Sequence, residues 1–250
     1  MLPKLGFLDT YSIFLIIGMF SALFLVEVYY RTNHFDKNKM TALELLAIIS
    51  IILGLAFANL FQNVYDFIQN SKDFSWSWNF TFYGGLLGGA AVFLLGYFIV
   101  VRRIYGPCLN EALKIAPASI TTGHAFGRIG CFFHGCCYGK PTNSWLGVQF
   151  TTTAEKVYPT NLFEAIFLFI LSGILFFLAM KKLGKWCFPI YMMSYGVWRF
   201  FIEYLRGDYR GSFIPGLTPS QFWSIILFLG GIAYLIVLIV LWRKGKRLII

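Results

Sequence analysis

Charge is scarce in this sequence. Of its 250 residues only 13% are Asp, Glu, Lys or Arg, while 58% are hydrophobic. A soluble domain carries about 25% charged residues. Half that density leaves too few polar groups to coat a water-exposed surface, which excludes an ordinary soluble protein. Lipid accepts an apolar surface without penalty, and the mean hydropathy of +0.69 agrees. Other absences narrow the reading. No small-residue cleavage site follows the first apolar run at 12–30, so that run reads as a retained span rather than a cleaved signal. There is no tandem repeat, low-complexity tract or separable soluble segment, so 1–250 reads as a single polytopic membrane domain. Inverted repeats and a midplane string of carboxylates are missing too, which argues against a transporter.

Acidic residues are the scarcer sign: 11 against 21 Lys and Arg, for a net charge of +10. On a soluble protein such an excess would suggest nucleic acid. Here the basic residues sit in short clusters between apolar runs, the pattern of the positive-inside rule. No nucleic-acid partner is expected. The bilayer is the expected partner, with attraction to anionic headgroups as a second effect.

A span needs about 20 mostly apolar residues. Seven runs qualify: 11–30, 42–61, 80–101, 113–133, 161–180, 188–205 and 219–242. The expected fold class is an all-α integral membrane protein of seven transmembrane helices. The basic clusters after the first, third, fifth and seventh runs fall on one side. That side should be cytoplasmic, with the N-terminus outside and the C-terminus cytoplasmic. Two outer segments are long, 62–79 and 135–160. The second has turn-forming Gly139, Pro141, Asn143 and Gly147 and alternates around 148–152, which suggests a small hairpin in an extracytoplasmic segment between helices 4 and 5.

Ionisable residues inside a bilayer are costly and usually face a polar cavity or one another. Arg199 and Glu203 are four apart and share one helical face. Tyr195 and Arg206 extend the stripe. An internal ion pair that only fixes packing competes here with a functional site. Arg128 lies in Gly127-Arg128-Ile129-Gly130, toward the outer end of the fourth run. Glycines there permit close backbone approach and positive φ. The planar fork of Arg suits a phosphate, and the bland reading is an Arg reaching for the interface. His124, one turn earlier, is the kind of residue that more often packs or hydrogen-bonds than catalyses.

Tyr83-Gly84-Gly85-Leu86-Leu87-Gly88-Gly89 opens the third run. Its glycines read first as tight helix packing and second as the lining of a lipid cavity; the strand and Lys-Ser/Thr ending of a phosphate loop are missing. Cys131, His134, Cys136 and Cys137 fall within seven residues. All are zinc-compatible types, but C-x2-H-x-C-C lacks the separated knuckles of usual structural sites. Packing, a disulfide from Cys131 to either later thiol, and nucleophilic use with His134 as base all remain open.

The ordered blocks resemble one family. Residues 127–139, Gly-Arg-Ile-Gly-Cys-Phe-Phe-His-Gly-Cys-Cys-Tyr-Gly, resemble the prolipoprotein diacylglyceryl transferase signature G-R-(I/L)-G-N-F-x-N-x-E-x-x-G. Tyr158-Pro159-Thr160-Asn161-Leu162-Phe163-Glu164 is similar to that family's H-P-(S/T)-Q-L-Y-E. The stretch 195–206, with Tyr195, Gly196, Arg199, Phe200, Glu203 and Arg206, resembles Y-G-x-x-R-F-x-x-E-(F/Y)-x-R. Tyr11 falls where the family has a Tyr opening the first span, and Pro219-Ser220-Gln221 resembles the opening of its last. The sequence departs from the pattern at Tyr83 and Tyr158, where the family has His. It departs again at Cys131 and His134, where the family has Asn, and at Cys136, where it has Glu.

The resemblance implies transfer of the diacylglyceryl group of phosphatidylglycerol to the lipobox cysteine of a preprolipoprotein, giving a thioether and glycerol 1-phosphate. It implies a multi-pass protein of the bacterial cell membrane with its site toward the outer leaflet. By the same resemblance Arg199, Glu203, Tyr83, Tyr11 and His134 serve the chemistry. Arg128, Gly127, Gly130, Glu164, Gly84 and Gly85 bind substrate. No metal or organic cofactor is implied. The departures leave two alternatives: a related transferase with another acceptor, and a lipid-binding protein without catalysis.

Overall fold

The computed structural model describes residues 4–5, 8–69, 75–78, 82–207 and 216–244. Among these the protein is helical, apart from two-residue strands β1 (Lys4–Leu5) and β2 (Leu8–Asp9), paired antiparallel, and a few isolated bridges. The helices are α1 (Thr10–Thr32), α2 (Lys37–Gln69), α3 (Phe82–Gly96), α4 (Arg102–Tyr105), α5 (Leu109–His134), α6 (Thr160–Leu178), α7 (Cys187–Ile202) and α8 (Pro219–Arg243). A π-helical turn, Tyr97–Val101, joins α3 to α4.

Five helical stretches are long and apolar enough to cross a membrane: Thr10–Thr32, Lys37–Ile68, Leu87–Tyr105, Thr160–Leu205 and Pro219–Arg243. The protein is therefore a multi-pass membrane protein. Two differences separate this count from the seven expected runs. The stretch Thr160–Leu205 is not one rod, because Lys181 (φ −82°, ψ 16°) and Lys182 (φ 62°, ψ 16°) leave the helical region and part α6 from α7. And α5 is too polar to qualify, since Thr121, Thr122, His124 and Arg128 lie along it. A third difference concerns the outer segment expected at 62–79: α2 runs on to Gln69.

The chain divides into two compact units, Met1–Asn33 with Leu113–Ile249, and His34–Ala112. In the smaller unit, α2 and α3 pack through glycines. A Cβ on Gly84 would lie 2.7 Å from Phe61 Cβ, and one on Gly54 would lie 3.1 Å from the Gly85 carbonyl. The packing reading of these glycines thus holds, and the side chain of Tyr83 lies outside what is described. Asn63 accepts from Ser77 N (2.8 Å) and donates to its carbonyl (2.9 Å), tying residues 75–78 to α2. The fully buried Tyr97 hydroxyl accepts from Cys108 N and Leu109 N at 3.0 and 3.2 Å, satisfying donors at the start of α5 that a helix cannot pair internally.

In the larger unit, α1 crosses α5 closely: a Cβ on Gly18 would meet Phe126 Cβ at 2.9 Å. Helices α5 and α6 are joined by polar contacts, with Thr122 and Ser172 hydroxyls 2.6 Å apart and Ser172 donating to the Ala118 carbonyl at 2.9 Å. Such bonds carry helix association where no hydrophobic drive separates protein from lipid. Phe167 and Trp198 stack between α6 and α7 at 4.4 Å. Helix α8 begins with a capping box at Thr218 and Gln221, and Gly196 and Gly231 let it lie close against α7.

Candidate active site

Glu164 anchors the site. It lies in the first turns of α6 and is 1% exposed. A buried carboxylate needs charged or hydrogen-bonding partners, and four side chains supply them. Arg128 Nε of α5 approaches Oε2 at 3.0 Å and Arg199 Nη1 of α7 at 3.8 Å. The Tyr195 hydroxyl donates to Oε1 at 2.8 Å, and His124 Nε2 is 3.8 Å from the same oxygen. The His124 and Tyr195 rings meet edge to face at 5.3 Å. Three helices thus converge on one carboxylate.

A second carboxylate continues the network. Arg199 Nη2 sits 2.9 Å from Glu203 Oε2 and also donates to Ser220 Oγ at 2.9 Å. Glu203 Oε1 accepts from the Thr218 hydroxyl at 3.1 Å, so the cap of α8 also holds the acid that orients Arg199. Arg206 Nε lies 4.0 Å from Glu203 Oε2. Among the described residues, three guanidiniums against two carboxylates leave the cluster one net positive charge. Arg128 Nε and Arg199 Nη1 are buried without a hydrogen bond in line, although both are close to Glu164. Two buried cationic donors therefore remain to be satisfied, as an anion would satisfy them.

Tyr11 enters from the start of α1. Its ring and backbone pack on Gly130, where a Cβ would meet Tyr11 Cδ2 at 3.1 Å. The Tyr11 hydroxyl lies within electrostatic range of Cys131, Arg128, Cys136 and Cys137. Gly127 and Gly130 are regular helical residues of α5 and do not use the positive φ that glycine permits. Gly130 serves close approach, and a Cβ on Gly127 would make only ordinary contact with Leu15. His134, at the end of α5, pairs with Asp9 (Nδ1 to Oδ1, 3.1 Å), and its ring centre is 6.4 Å from that of Tyr11. Gly84 and Gly85 belong to the other unit and pack on α2.

Beyond α5 the chain turns sharply through Gly135 (φ 79°) and Cys137 (φ 60°). Asn161 donates to the Cys136 carbonyl at 2.9 Å and Thr160 to the Cys137 carbonyl at 3.1 Å, pinning the turn to α6. The expected hairpin is present in reduced form: Val148 and Val157 exchange backbone bonds of 3.0 Å. Tyr158 bonds through its backbone to Gly139 and Lys140. All five cysteines are free thiols. The Sγ atoms of Cys131, Cys136 and Cys137 lie within 4.8 Å of one another. Hydrogen bonds from Cys131 and then Cys136, with Arg206 and Arg128 nearby, outweigh burial and hold the Cys137 thiol well below the usual thiol range.

The sequence profile of the family described as prolipoprotein diacylglyceryl transferase matches residues 3–237. The chain belongs to the prolipoprotein diacylglyceryl transferase family. It is 30% identical over 230 residues to a phosphatidylglycerol–prolipoprotein diacylglyceryl transferase of Clostridium tetani, covering 89% of this chain and 90% of the relative. It is 33% identical over 208 residues to the second such transferase of Clostridium perfringens, covering 79% and 78%. The Ehrlichia canis transferase is 29% identical over 240 residues, covering 90% and 89%. Five family-matched acidic and basic positions, Arg128, Glu164, Arg199, Glu203 and Arg206, meet in the site. Ser220, Thr218 and Asn161 were not read as site residues from the sequence. The family block at 219–221 and the Thr-Asn that opens α6 were the available signals.

Proposed function

We propose that this protein transfers the diacylglyceryl group of phosphatidylglycerol to the lipobox cysteine of a preprolipoprotein, forming a thioether and releasing glycerol 1-phosphate. The observation that carries the reading is the net-positive, buried cluster of Arg128, Arg199 and Arg206 around Glu164 and Glu203. A phosphodiester brings one negative charge, which the cluster matches. Substitution at the glycerol carbon puts further charge on the departing phosphate, where fixed guanidinium donors act most strongly. Arg128 and Arg199 grip the phosphate. Glu164, Glu203 and Tyr195 position them. Tyr11 closes the site beside Gly130. His134, oriented by Asp9, takes the proton of the acceptor thiol in place of the family His that stands here as Tyr83.

An open groove of about 470 Å³ supports a lipid substrate. Phe20, Phe24, Phe169 and Phe176 line it, and its polar lining is Ser21, Thr122 and Ser172. Phe169 is five residues along α6 from Glu164, about 7.5 Å of helix rise, a reach that suits an acyl tail below a headgroup. The topology follows from the charge pattern: one membrane domain of seven spans, with α5 spanning by virtue of its polar contacts to α6. The N-terminus is outside, the C-terminus is cytoplasmic, and the site faces the outer leaflet of the bacterial cell membrane.

The test is transfer of labelled glycerolipid from phosphatidylglycerol to a lipobox peptide by purified protein, beside Arg128→Ala. Product that requires Arg128 is expected. Consumption of phosphatidylglycerol without peptide product would replace the acceptor, and no consumption at all would sink the transferase reading.

A further inference from the structure

The three-thiol cluster is where this chain leaves its family's pattern, and the family resemblance gives it no task. Its geometry is built rather than incidental. Cys131 comes from the last turns of α5, while Cys136 and Cys137 return to it through a turn with two left-handed residues. Cys137 adopts that conformation without being glycine, which carries a conformational cost. Two side chains of α6 hold the turn in place, Asn161 on the Cys136 carbonyl and Thr160 on that of Cys137. Cys131 is one helical turn from Arg128, and Cys137 interacts electrostatically with both Arg128 and Arg206. So the thiols border the phosphate-binding arginines.

Three sulfurs within 4.8 Å of one another are near metal-binding separation. A zinc–sulfur bond of about 2.3 Å places the sulfurs of a tetrahedral site about 3.8 Å apart. Closure by about 1 Å suffices. Soft thiolates select zinc or another d10 cation over magnesium or calcium. Three thiolates around a divalent ion carry one net negative charge, against four for three thiolates and an unassisted acceptor thiolate. Three protein ligands also leave a fourth position open, the arrangement of a catalytic rather than a structural zinc.

We infer that Cys131, Cys136 and Cys137 hold a thiophilic divalent cation whose open position binds the sulfur of the acceptor cysteine and delivers it as a thiolate. This rests on the diacylglyceryl-transfer reading. The nucleophile of that reaction is a thiolate, and a coordinating thiol is deprotonated outright. The acceptor sulfur displaces the water at the open position, and its S–H proton leaves with that water. The metal-bound sulfur then forms the S–C bond to the glycerol carbon as the C–O bond to phosphate breaks. The bonding electrons leave on glycerol 1-phosphate, whose charge falls to Arg128 and Arg199. No electron is gained or lost by the metal, and water returns to the open position. The loss of a His at Tyr83 is thereby offset by a different way of making the thiolate.

The experiment uses the full chain in detergent, stripped by chelator and reloaded with one equivalent of Zn²⁺ or Cd²⁺. One ion per chain is expected, with the ultraviolet sulfur-to-cadmium charge-transfer band of three thiolates. That band should grow with a lipobox peptide and stay unchanged with its Cys→Ser version. Cys131→Ser, Cys136→Ser and Cys137→Ser should each weaken binding more than about 100-fold, beyond what losing a mere supporting contact costs. The Cys108→Ser/Cys187→Ser double variant should bind normally. Stripped wild-type protein should not transfer, and one equivalent of Zn²⁺ should restore it. Because that arm needs no variant, a misfolded mutant cannot obscure it. Full transfer by stripped protein would overturn the metal and leave the transferase standing. Absence of transfer with and without metal would overturn both. A missing charge-transfer band would overturn the site itself.

Discussion

Replacing Glu164 by Gln removes one negative charge and almost no volume. The buried carboxylate lies 3.0 Å from Arg128 and 3.8 Å from Arg199. At an effective dielectric of about 20, those contacts represent roughly 5 and roughly 4 kcal/mol of gross attraction. Part is offset because the carboxylate no longer has to be kept out of water. Breaking a buried pair from one side costs about 3–5 kcal/mol, and we expect that loss for Glu164→Gln. For a chain of this size it corresponds to a melting point lower by roughly 6–20 °C, read by thermal unfolding in detergent micelles. The site's net charge rises by one at the same time. Phosphatidylglycerol in the micelle should therefore stabilise the variant more than the wild type. Transfer should nonetheless fall by about 100-fold or more, since the guanidinium forks lose the anchor that aims them. Pairing the change with Arg128→Met should recover part of the stability, as coupled residues deviate from additivity by about 0.5–3 kcal/mol. A Glu164→Gln protein that melts within about 2 °C of wild type and keeps its turnover would refute the assignment of Glu164 as anchor.

Tyr195→Phe deletes the 2.8 Å bond to Glu164 Oε1. It should destabilise the protein by about 1.5–3 kcal/mol, the range for bonds to charged groups, and an unchanged melting point would count against the bond. Gly173→Trp adds a ring to the groove, where a Cβ meets nothing within 4 Å. It should shift preference toward shorter acyl chains in a competition between phosphatidylglycerols of different length, and an unaltered preference would remove the groove from the lipid site. His134→Ala should slow transfer by about 100-fold, the lower range for a lost proton acceptor, with phosphatidylglycerol binding intact. Weaker lipid binding at normal turnover would reassign His134 to packing.

Local spacing made part of this site legible. Arg199 and Glu203 are four apart, and the helix brings them to 2.9 Å as that spacing requires. Tyr195 shares that face, and its hydroxyl and Arg199 both reach Glu164 of α6. No periodicity links residues 164 and 195; only the packing of α6 against α7 does. Glu164 itself entered through a family block, and its place among three helices depends on contacts that sequence spacing does not encode. The break between α6 and α7 was foreshadowed by the Lys181, Lys182 and Lys185 cluster, which divided two apolar runs. The extension of α2 to Gln69 was not, because Gln62, Asn63 and Asp66 look like a loop in sequence yet hydrogen-bond within the helix and to Ser77. Of the two things the glycines at 127 and 130 permit, close approach and a positive φ, the structure uses only the first, at Gly130. Glycine permits that conformation without imposing it, and the close approach of Tyr11 needed only the missing side chain.

The two buried acids pose a further question, since a site for an anion would bind it more tightly without them. Tight binding alone would not help catalysis: interactions equally strong with substrate and transition state leave the chemical step unchanged. Three guanidiniums held by two carboxylates can neutralise the single charge of a phosphodiester and no more. Glycerol 1-phosphate, once free of its lipid, carries about −1.5 to −2 at neutral pH. It then exceeds the site's charge and is repelled by Glu164 and Glu203 as it leaves. The unaligned donors on Arg128 and Arg199 meanwhile meet the charge that builds on the leaving oxygen. The acids thus aim the arginines and cap the affinity for product. Removing one should therefore tighten retention of glycerol 1-phosphate while slowing its formation.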